Sequence, residues 1–201
     1  MAEITANMVK ELREKTGVGF MECKKALQES GGDIAGAELN LRKRGVDVAQ
    51  KKAGRDAKEG MIGTYVHPGS KLGVMVEVNC ESDFVARTDD FQQLVHDIAM
   101  HIAATDPQFL RKEDVSEDVL EKEREIQKAR ALGEGKPEQI ADKIVEGRMK
   151  KFYEEVCLYE QPFVKDNAAT VGELITATIA KLGENILVSR MARFKVGEGD
   201  A

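Results

Sequence analysis

The 201-residue sequence has no tryptophan, 4 prolines, 3 cysteines and 3 histidines, and only 5% of it is aromatic. Cys23, Cys80 and Cys157 are odd in number, far apart and never in a CxxC pair, which speaks for reduced thiols against a disulfide frame or a sulfur-bound zinc. Few prolines beside 18 glycines without a fixed period, and ample Val, Ile and Leu, exclude a collagen-like or low-complexity chain. No apolar run approaches the roughly 20 residues that span a bilayer. The opening Met1-Ala2-Glu3-Ile4-Thr5 has no apolar segment behind a basic head, so the expected location is cytoplasmic, with no membrane partner. The GxxxxGK[ST], HExxH and GxSxG patterns are missing too, and Gly133-Glu134-Gly135-Lys136 lacks the preceding strand of a phosphate cradle and reads as a turn. His96 and His101, five apart, fall on different helix faces, and His67 is remote from both, so no metal and no cofactor are expected.

What is present suits a globular chain with one good core and a small satellite: 42% hydrophobic and 33% charged residues, net charge −6. The charge is uneven. Residues 1–60 hold 12 basic and 10 acidic side chains, whereas 61–201 hold 18 and 26. The positive excess sits in Arg42, Lys43, Arg44, Lys51, Lys52, Arg55 and Lys58, opposed only by Asp47 and Asp56. A basic nucleic-acid-binding module is therefore the alternative reading of the chain. Yet no aromatic interleaves these bases to stack on a nucleobase, and a charged connecting helix over 42–58 is the plainer explanation.

The period of the apolar residues sets the organisation. Thr5 caps a first helix with Met8, Val9 and Leu12 inward, stopped at Gly17-Val18-Gly19. A second helix puts Phe20, Cys23 and Leu27 on one face; after Gly31-Gly32, Asp33 caps a third with Ile34, Ala37 and Leu41 inward, ended by Gly45. Then the period falls to 2: Met61 to His67 and Leu72 to Cys80 flank Pro68-Gly69-Ser70-Lys71 and read as an antiparallel hairpin. A helix from Asp89 aligns Phe91, Leu94, Val95, Ile98 and Ile102. Residues 117–132 and 138–157 read as a projecting helical hairpin, with Ile140, Ile144, Phe152 and Val156 as the stripe of its second arm. Thr170 and Glu173 form a capping box for a helix with Leu174, Ile175, Ile179 and Leu182 inward, closed by Gly183. Ile186 to Val196 is a third strand, in which Ala192, Phe194 and Val196 alternate with Arg193 and Lys195. The class is α+β: a three-helix domain with its basic connector over 1–55, then a core domain over 56–201 that includes the hairpin 117–157.

Two features near the end of the second strand invite chemistry. Glu77, Glu81, Asp83, Asp89 and Asp90 could hold a divalent ion for phosphoryl transfer, but Asp89 and Asp90 suit the first turn of a helix, and no base or substrate clamp is near in sequence. No catalytic constellation emerges, and the chain does not read as an enzyme. The other feature is Phe84 beside Asp83. By residue type it closes the core; alternatively it is a wedge, an aromatic that anchors in a partner's pocket while the acid meets polar groups there.

Cys80-Glu81-Ser82-Asp83-Phe84-Val85-Ala86-Arg87, together with Leu12-Arg13-Glu14-Lys15-Thr16-Gly17-Val18-Gly19-Phe20-Met21-Glu22-Cys23-Lys24-Lys25-Ala26-Leu27, closely resembles the bacterial elongation factor Ts family. The blocks Ile140–Phe152, Glu160–Asp166 and Phe194–Gly199 resemble further signatures of that family in the same order. The resemblance implies a guanine-nucleotide exchange factor for elongation factor Tu in its GDP-bound and nucleotide-free forms, which forms no covalent bond itself. It implies a ubiquitin-associated-like N-terminal domain meeting the partner's GTPase domain near Val18, Gly19, Phe20 and Met21. It also implies that Ser82, Asp83, Phe84 and Val85, matching a Thr-Asp-Phe-Val motif with Ser for Thr, push beside the partner's magnesium ion. The short form, with one core half, is expected to pair as a homodimer through its three-stranded sheets.

Overall fold

The computed structural model describes residues 4–198; Met1, Ala2 and Glu3 of the opening segment, Gly199 of the last quoted block and the two residues after it lie outside the described residues. The elements run α1 (Ala6–Thr16), α2 (Phe20–Glu29), α3 (Ile34–Lys52), β1 (Glu59–Val66), β2 (Leu72–Cys80), α4 (Asp83–Ala86), α5 (Asp89–Thr105), α6 (Glu117–Gly133), α7 (Glu138–Val156), β3 (Pro162–Phe163), β4 (Asp166–Thr170), α8 (Val171–Leu182) and β5 (Ile186–Lys195). The strands form a three-stranded antiparallel sheet in the order β1-β2-β5 and a small two-stranded sheet of β3 and β4. The α+β class is as expected; the β3–β4 pair was not foreseen. Among the described residues no helix is long and apolar enough to cross a membrane.

Two compact units divide the chain. One holds the residues up to Met61 with Val78–Val95 and Ile175–Leu187; the other holds Ile62–Glu77, His96–Leu174 and the residues from Val188 on. In the first unit, the Thr5 hydroxyl accepts the Met8 amide at 3.3 Å, and Gly17, at φ 67°, ends α1 in the left-handed conformation. The Asp33 carboxylate accepts the Ala35 and Gly36 amides at 3.1 and 3.0 Å. Val9, Leu12, Cys23, Ala26, Leu27, Ala37 and Leu41 make the core of this bundle, with Met8, Val18 and Ile34 packed against it. Phe20 departs from the expected inward set: it opens α2 and is 46% exposed, while Val18 fills the space beside the core.

Gly45 also departs from expectation. It does not end α3, which continues to Lys52, so the basic stretch is largely the second half of a helix. The glycine is there for proximity: it is buried, and a Cβ on it would stand 3.3 Å from the Ala180 Cβ of α8. Gly183, at φ 74°, closes α8 as foreseen, with its amide 2.8 Å from the Ile179 carbonyl, and Lys52 donates to the Gly183 carbonyl.

Helix α5 buries Phe91, Leu94, Val95, Ile98 and Ile102 as its spacing predicts. In the second unit, α6 and α7 follow the expected boundaries, but the stripe of α7 is shifted. Ala141 and Met149 are buried and Val145, Phe152 and Val156 pack beside them, while Ile140, in the first turn, faces water. The Thr170–Glu173 capping box is present in both directions: the Glu173 amide donates to the Thr170 hydroxyl at 3.1 Å and the Thr170 amide to the Glu173 carboxylate at 3.0 Å.

Apolar side chains of the three-stranded sheet are left in water. Ile62 and Val66 on β1, Met75 on β2, Phe194 on β5 and Val196 just beyond it are exposed, Phe194 by 70%. On β5 it is Arg193 that turns inward, its guanidinium 3.2 Å from Asp106 and 3.1 Å from Glu198.

Candidate functional site

Strand β2 ends on the buried residues Val78, Asn79 and Cys80, and the chain then turns into α4, a helix of 4 residues. Ser82 is its N-cap, and the Val85 amide donates to the Ser82 hydroxyl at 3.4 Å. The Ser82 hydroxyl in turn donates to Glu184 Oε1 at 2.6 Å and the Ser82 amide to Glu184 Oε2 at 3.0 Å. Thr88 then joins α4 to α5: its hydroxyl donates to the Val85 carbonyl at 2.8 Å and accepts the Phe91 amide at 3.3 Å.

Beside this cap, the Glu81 carboxylate accepts the Asn185 amide at 2.7 Å and Arg55 Nη1 at 3.3 Å, and Asn185 Nδ2 donates to the Arg55 carbonyl at 2.9 Å. The Asn185 amide, helped by Arg55 and opposed by partial burial, holds the Glu81 carboxyl below its usual range. Burial pushes the Cys80 thiol up, and its Sγ donates to the Ser82 carbonyl at 3.1 Å.

On this footing α4 displays its first two residues. Phe84 is 84% exposed, so it does not close the core. Asp83 is exposed and, among the described residues, pairs with Arg87, one turn along, at 2.7 Å. Such an exposed i,i+4 pair is worth roughly 0.3–0.5 kcal/mol, so little holds Asp83 from a stronger cation. Val85 is half-buried and Ala86 buried, anchoring the other side of the turn.

Val18 is half-buried, Gly19 is exposed, and Phe20 and Met21 are exposed at the start of α2. A Cβ on Gly17 would stand 3.0 Å from the Lys181 side chain, whose ammonium pairs with Asp90 at 2.6 Å. The end of α8 thus touches the α1–α2 turn, α3 and the start of α5.

The five carboxylates considered for a metal are engaged separately. Glu77 pairs with Arg190, Glu81 with Asn185 and Arg55, Asp83 with Arg87 and Asp90 with Lys181, while Asp89 lies in the first turn of α5. Among the described residues no group of three or more His, Cys, Asp or Glu is placed to hold a metal ion. Several of the seven bases are spent within the protein as well: Arg44 on Glu22 and Glu29, Lys52 on the Gly183 carbonyl, Arg55 on Glu81, Lys58 on Asp56. The glutamates beside Arg44, Glu29 above all, raise its pKa further.

The sequence reading missed Glu184 and Asn185, and took Arg55 only as one base of the connector. The one signal available was a charged residue and an amide held between the Gly183 stop and the apolar start of β5.

A family model, Elongation factor TS, matches residues 35–198. Relatives named Elongation factor Ts are 70% identical in Solibacter usitatus (198 residues, 98% of this chain and 93% of the relative), 60% in Koribacter versatilis (195 residues, 97% and 89%) and 58% in Desulforamulus reducens (199 residues, 99% and 92%).

Proposed function

Because the chain belongs to the elongation factor Ts family, whose members exchange guanine nucleotide on elongation factor Tu during translation elongation, we propose that it releases GDP by wedging Asp83 and Phe84 beside the partner's magnesium and phosphate site. The observation that carries this is the 84% exposure of Phe84 on a turn tied down from beneath. A large aromatic kept in water while Ser82 and Val85, on either side of the Asp83–Phe84 pair, are held is ready to enter a pocket without leaving one first.

GDP on a GTPase is held by backbone amides of a phosphate loop and by Mg²⁺ bridging phosphate and protein, so shifting that loop or that ion removes much of the nucleotide's binding energy. Burying the Phe84 ring in the partner supplies on the order of 1.5–3 kcal/mol, and Asp83 competes electrostatically for the surroundings of the ion. By linkage, exchange factor and nucleotide weaken each other's binding by the same factor. No covalent bond changes and no cofactor is needed.

Val18, Gly19, Phe20 and Met21 are the second contact in this reading, presented by a bundle of the ubiquitin-associated type to the partner's GTPase domain. The exposed apolar side chains of the sheet are the third surface: Ile62, Val66, Met75 and Phe194 expose apolar area that a second copy of the chain would cover, making a homodimer. The place of action is the cytoplasm, and the ligand is a protein, not nucleic acid.

The test is stopped-flow release of a fluorescent GDP analogue from elongation factor Tu, with this protein and with Phe84→Ala. Strong acceleration that the substitution largely abolishes is the expected result; undiminished acceleration by Phe84→Ala refutes the wedge. Sedimentation of the protein and of Phe194→Asp tests the dimer, the variant being expected as a monomer.

A further inference from the structure

We propose that Glu184 is the positioning residue of the exchange site, setting the direction in which Phe84 is presented; the inference rests on the Asp83–Phe84 reading above. Helix α4 has 4 residues, too few for helix formation to sustain itself, since a first turn fixes several dihedrals for one hydrogen bond. Asp83 and Phe84 are exposed, so their own packing does not aim the turn. The turn is aimed from its N-cap. The two oxygens of Glu184 take two donors of one residue, the Ser82 amide at 3.0 Å and its hydroxyl at 2.6 Å, and thereby fix both the backbone and the side-chain torsion of Ser82. With its proton committed to Glu184, the hydroxyl turns a lone pair to the Val85 amide, 3.4 Å away, and closes the first turn under Phe84.

The clamp is doubled by its neighbours. Glu81 takes the Asn185 amide, and the Asn185 side chain reaches the Arg55 carbonyl. The adjacent pairs Glu81-Ser82 and Glu184-Asn185 are therefore laced together across the chain, Ser82 and Glu184 lying 102 residues apart. Glu184 itself follows the end of α8, where Lys52 caps the Gly183 carbonyl and Lys181 holds Asp90, so the carboxylate is mounted on a braced helix end rather than on a loose loop. Glu184 touches no nucleotide; it acts through Ser82. The same geometry assigns the hydroxyl at position 82 its role, to pass the hold of Glu184 on to the Val85 amide.

The test is the concentration dependence of stopped-flow GDP release from elongation factor Tu by the unmodified protein, Glu184→Ala, Ser82→Ala, Phe84→Ala and the double variant Glu184→Ala/Phe84→Ala. Glu184→Ala and Ser82→Ala are expected to lower the limiting rate about tenfold while changing the half-saturating concentration less than about threefold, because the encounter surfaces stay and only the aim is lost. The double variant is expected to be no slower than Phe84→Ala, since an unaimed ring and a missing ring fail alike. In hydrogen exchange, the Ser82 and Val85 amides of Glu184→Ala exchange faster while those of α1 to α3 do not. A limiting rate for Glu184→Ala within about twofold of the unmodified protein, with Phe84→Ala slow, overturns the positioning role and leaves the wedge standing. An effect on half-saturation alone, or effects that add in the double variant, overturns it as well, because either marks a general structural role. Phe84→Ala as fast as the unmodified protein overturns the wedge and this inference with it. Should Glu184→Ala fail to fold, Ser82→Ala alone decides, since it deletes the hydroxyl and leaves the carboxylate one amide donor.

Discussion

Removing the ring of Phe84 and removing the ring of Phe91 should have opposite consequences, although the residues lie seven apart in one segment. Phe84 keeps 84% of its surface in water and Phe91 none. Full burial of such a side chain contributes about 1.5–3 kcal/mol, so the sixth or so of Phe84 that is covered is worth roughly 0.3–0.5 kcal/mol. Phe91→Ala forfeits all of that and leaves a cavity beside Leu94, Val95 and Ile98, for a cost of about 3–5 kcal/mol. For a chain of this length 1 kcal/mol moves the midpoint by about 2–4 °C, so Phe84→Ala should shift Tm by no more than about 2 °C and Phe91→Ala by about 6 °C or more. The assay is urea and thermal unfolding followed by far-ultraviolet circular dichroism, since there is no tryptophan to serve as a fluorescent reporter. A loss of 2 kcal/mol or more for Phe84→Ala, at unchanged denaturant slope, would show that the ring is packed in solution and would falsify the exposed-wedge geometry.

Gly60→Ala should destabilise by about 3 kcal/mol or more, read by urea titration, because Gly60 sits at φ 141° and an added Cβ would come within 2.2 Å of the Val78 carbonyl oxygen. His101 is fully buried, with the Val164 amide donating to Nδ1 at 3.3 Å and Nε2 at 2.9 Å from Gln161 Oε1, and burial lowers its pKa. The unfolded chain therefore takes up the proton first. The stability His101 contributes is whole above its unfolded pKa of about 6.5 and is lost, at no more than about 1.4 kcal/mol per pH unit, as pH falls toward the folded value. Unfolding free energies between pH 8 and 5 should show this slope and His101→Gln should flatten it, whereas the lowered carboxyls of Glu29, Glu81 and Glu198 act only at lower pH. All three cysteines are buried, with the Cys157 thiol pushed up to about 11, so a colourless-to-yellow thiol reagent at pH 8 should react slowly with the folded protein and with three equivalents in guanidinium.

Local signals were the legible part of this chain. The caps at Thr5, Asp33 and Thr170/Glu173 and the stripe of α5 were readable because each is decided within a few residues of itself. Gly45 misled because a glycine that ends a helix and one that admits a second helix look alike; the difference is Ala180, far along the chain. The alternation in β5 gave the period of the strand and not the side that faces inward, which the pairing of Arg193 with Asp106 and Glu198 makes visible. At the site, Ser82 to Val85 stood out through family resemblance, whereas the residue type of Phe84 alone pointed to the core. Glu184 was beyond the reach of any local pattern, since a lone glutamate after a helix has no meaning until the fold brings Ser82 to it.

The departures from pattern share a direction. Phe20, Phe84 and Ile140 are large apolar side chains at positions where spacing or residue type predicted an inward or packed setting, and all stay in water. Under the proposed wedge, in which Phe84 enters a partner and then leaves it, this would be the economical arrangement. An anchor buried in its own core would first have to be extracted, and the exchange-competent fraction of molecules would be divided by that equilibrium, weakening apparent affinity in proportion. An anchor already in water has no such penalty, provided that something else fixes its direction, because a freely hinged ring loses ordering entropy on every encounter. Exposure of Phe84 and restraint of Ser82 therefore belong together. In the proposed mechanism the first without the second would bind often and act seldom, so the limiting exchange rate, more than the binding affinity, is the quantity in which the proposed role of Glu184 should be seen.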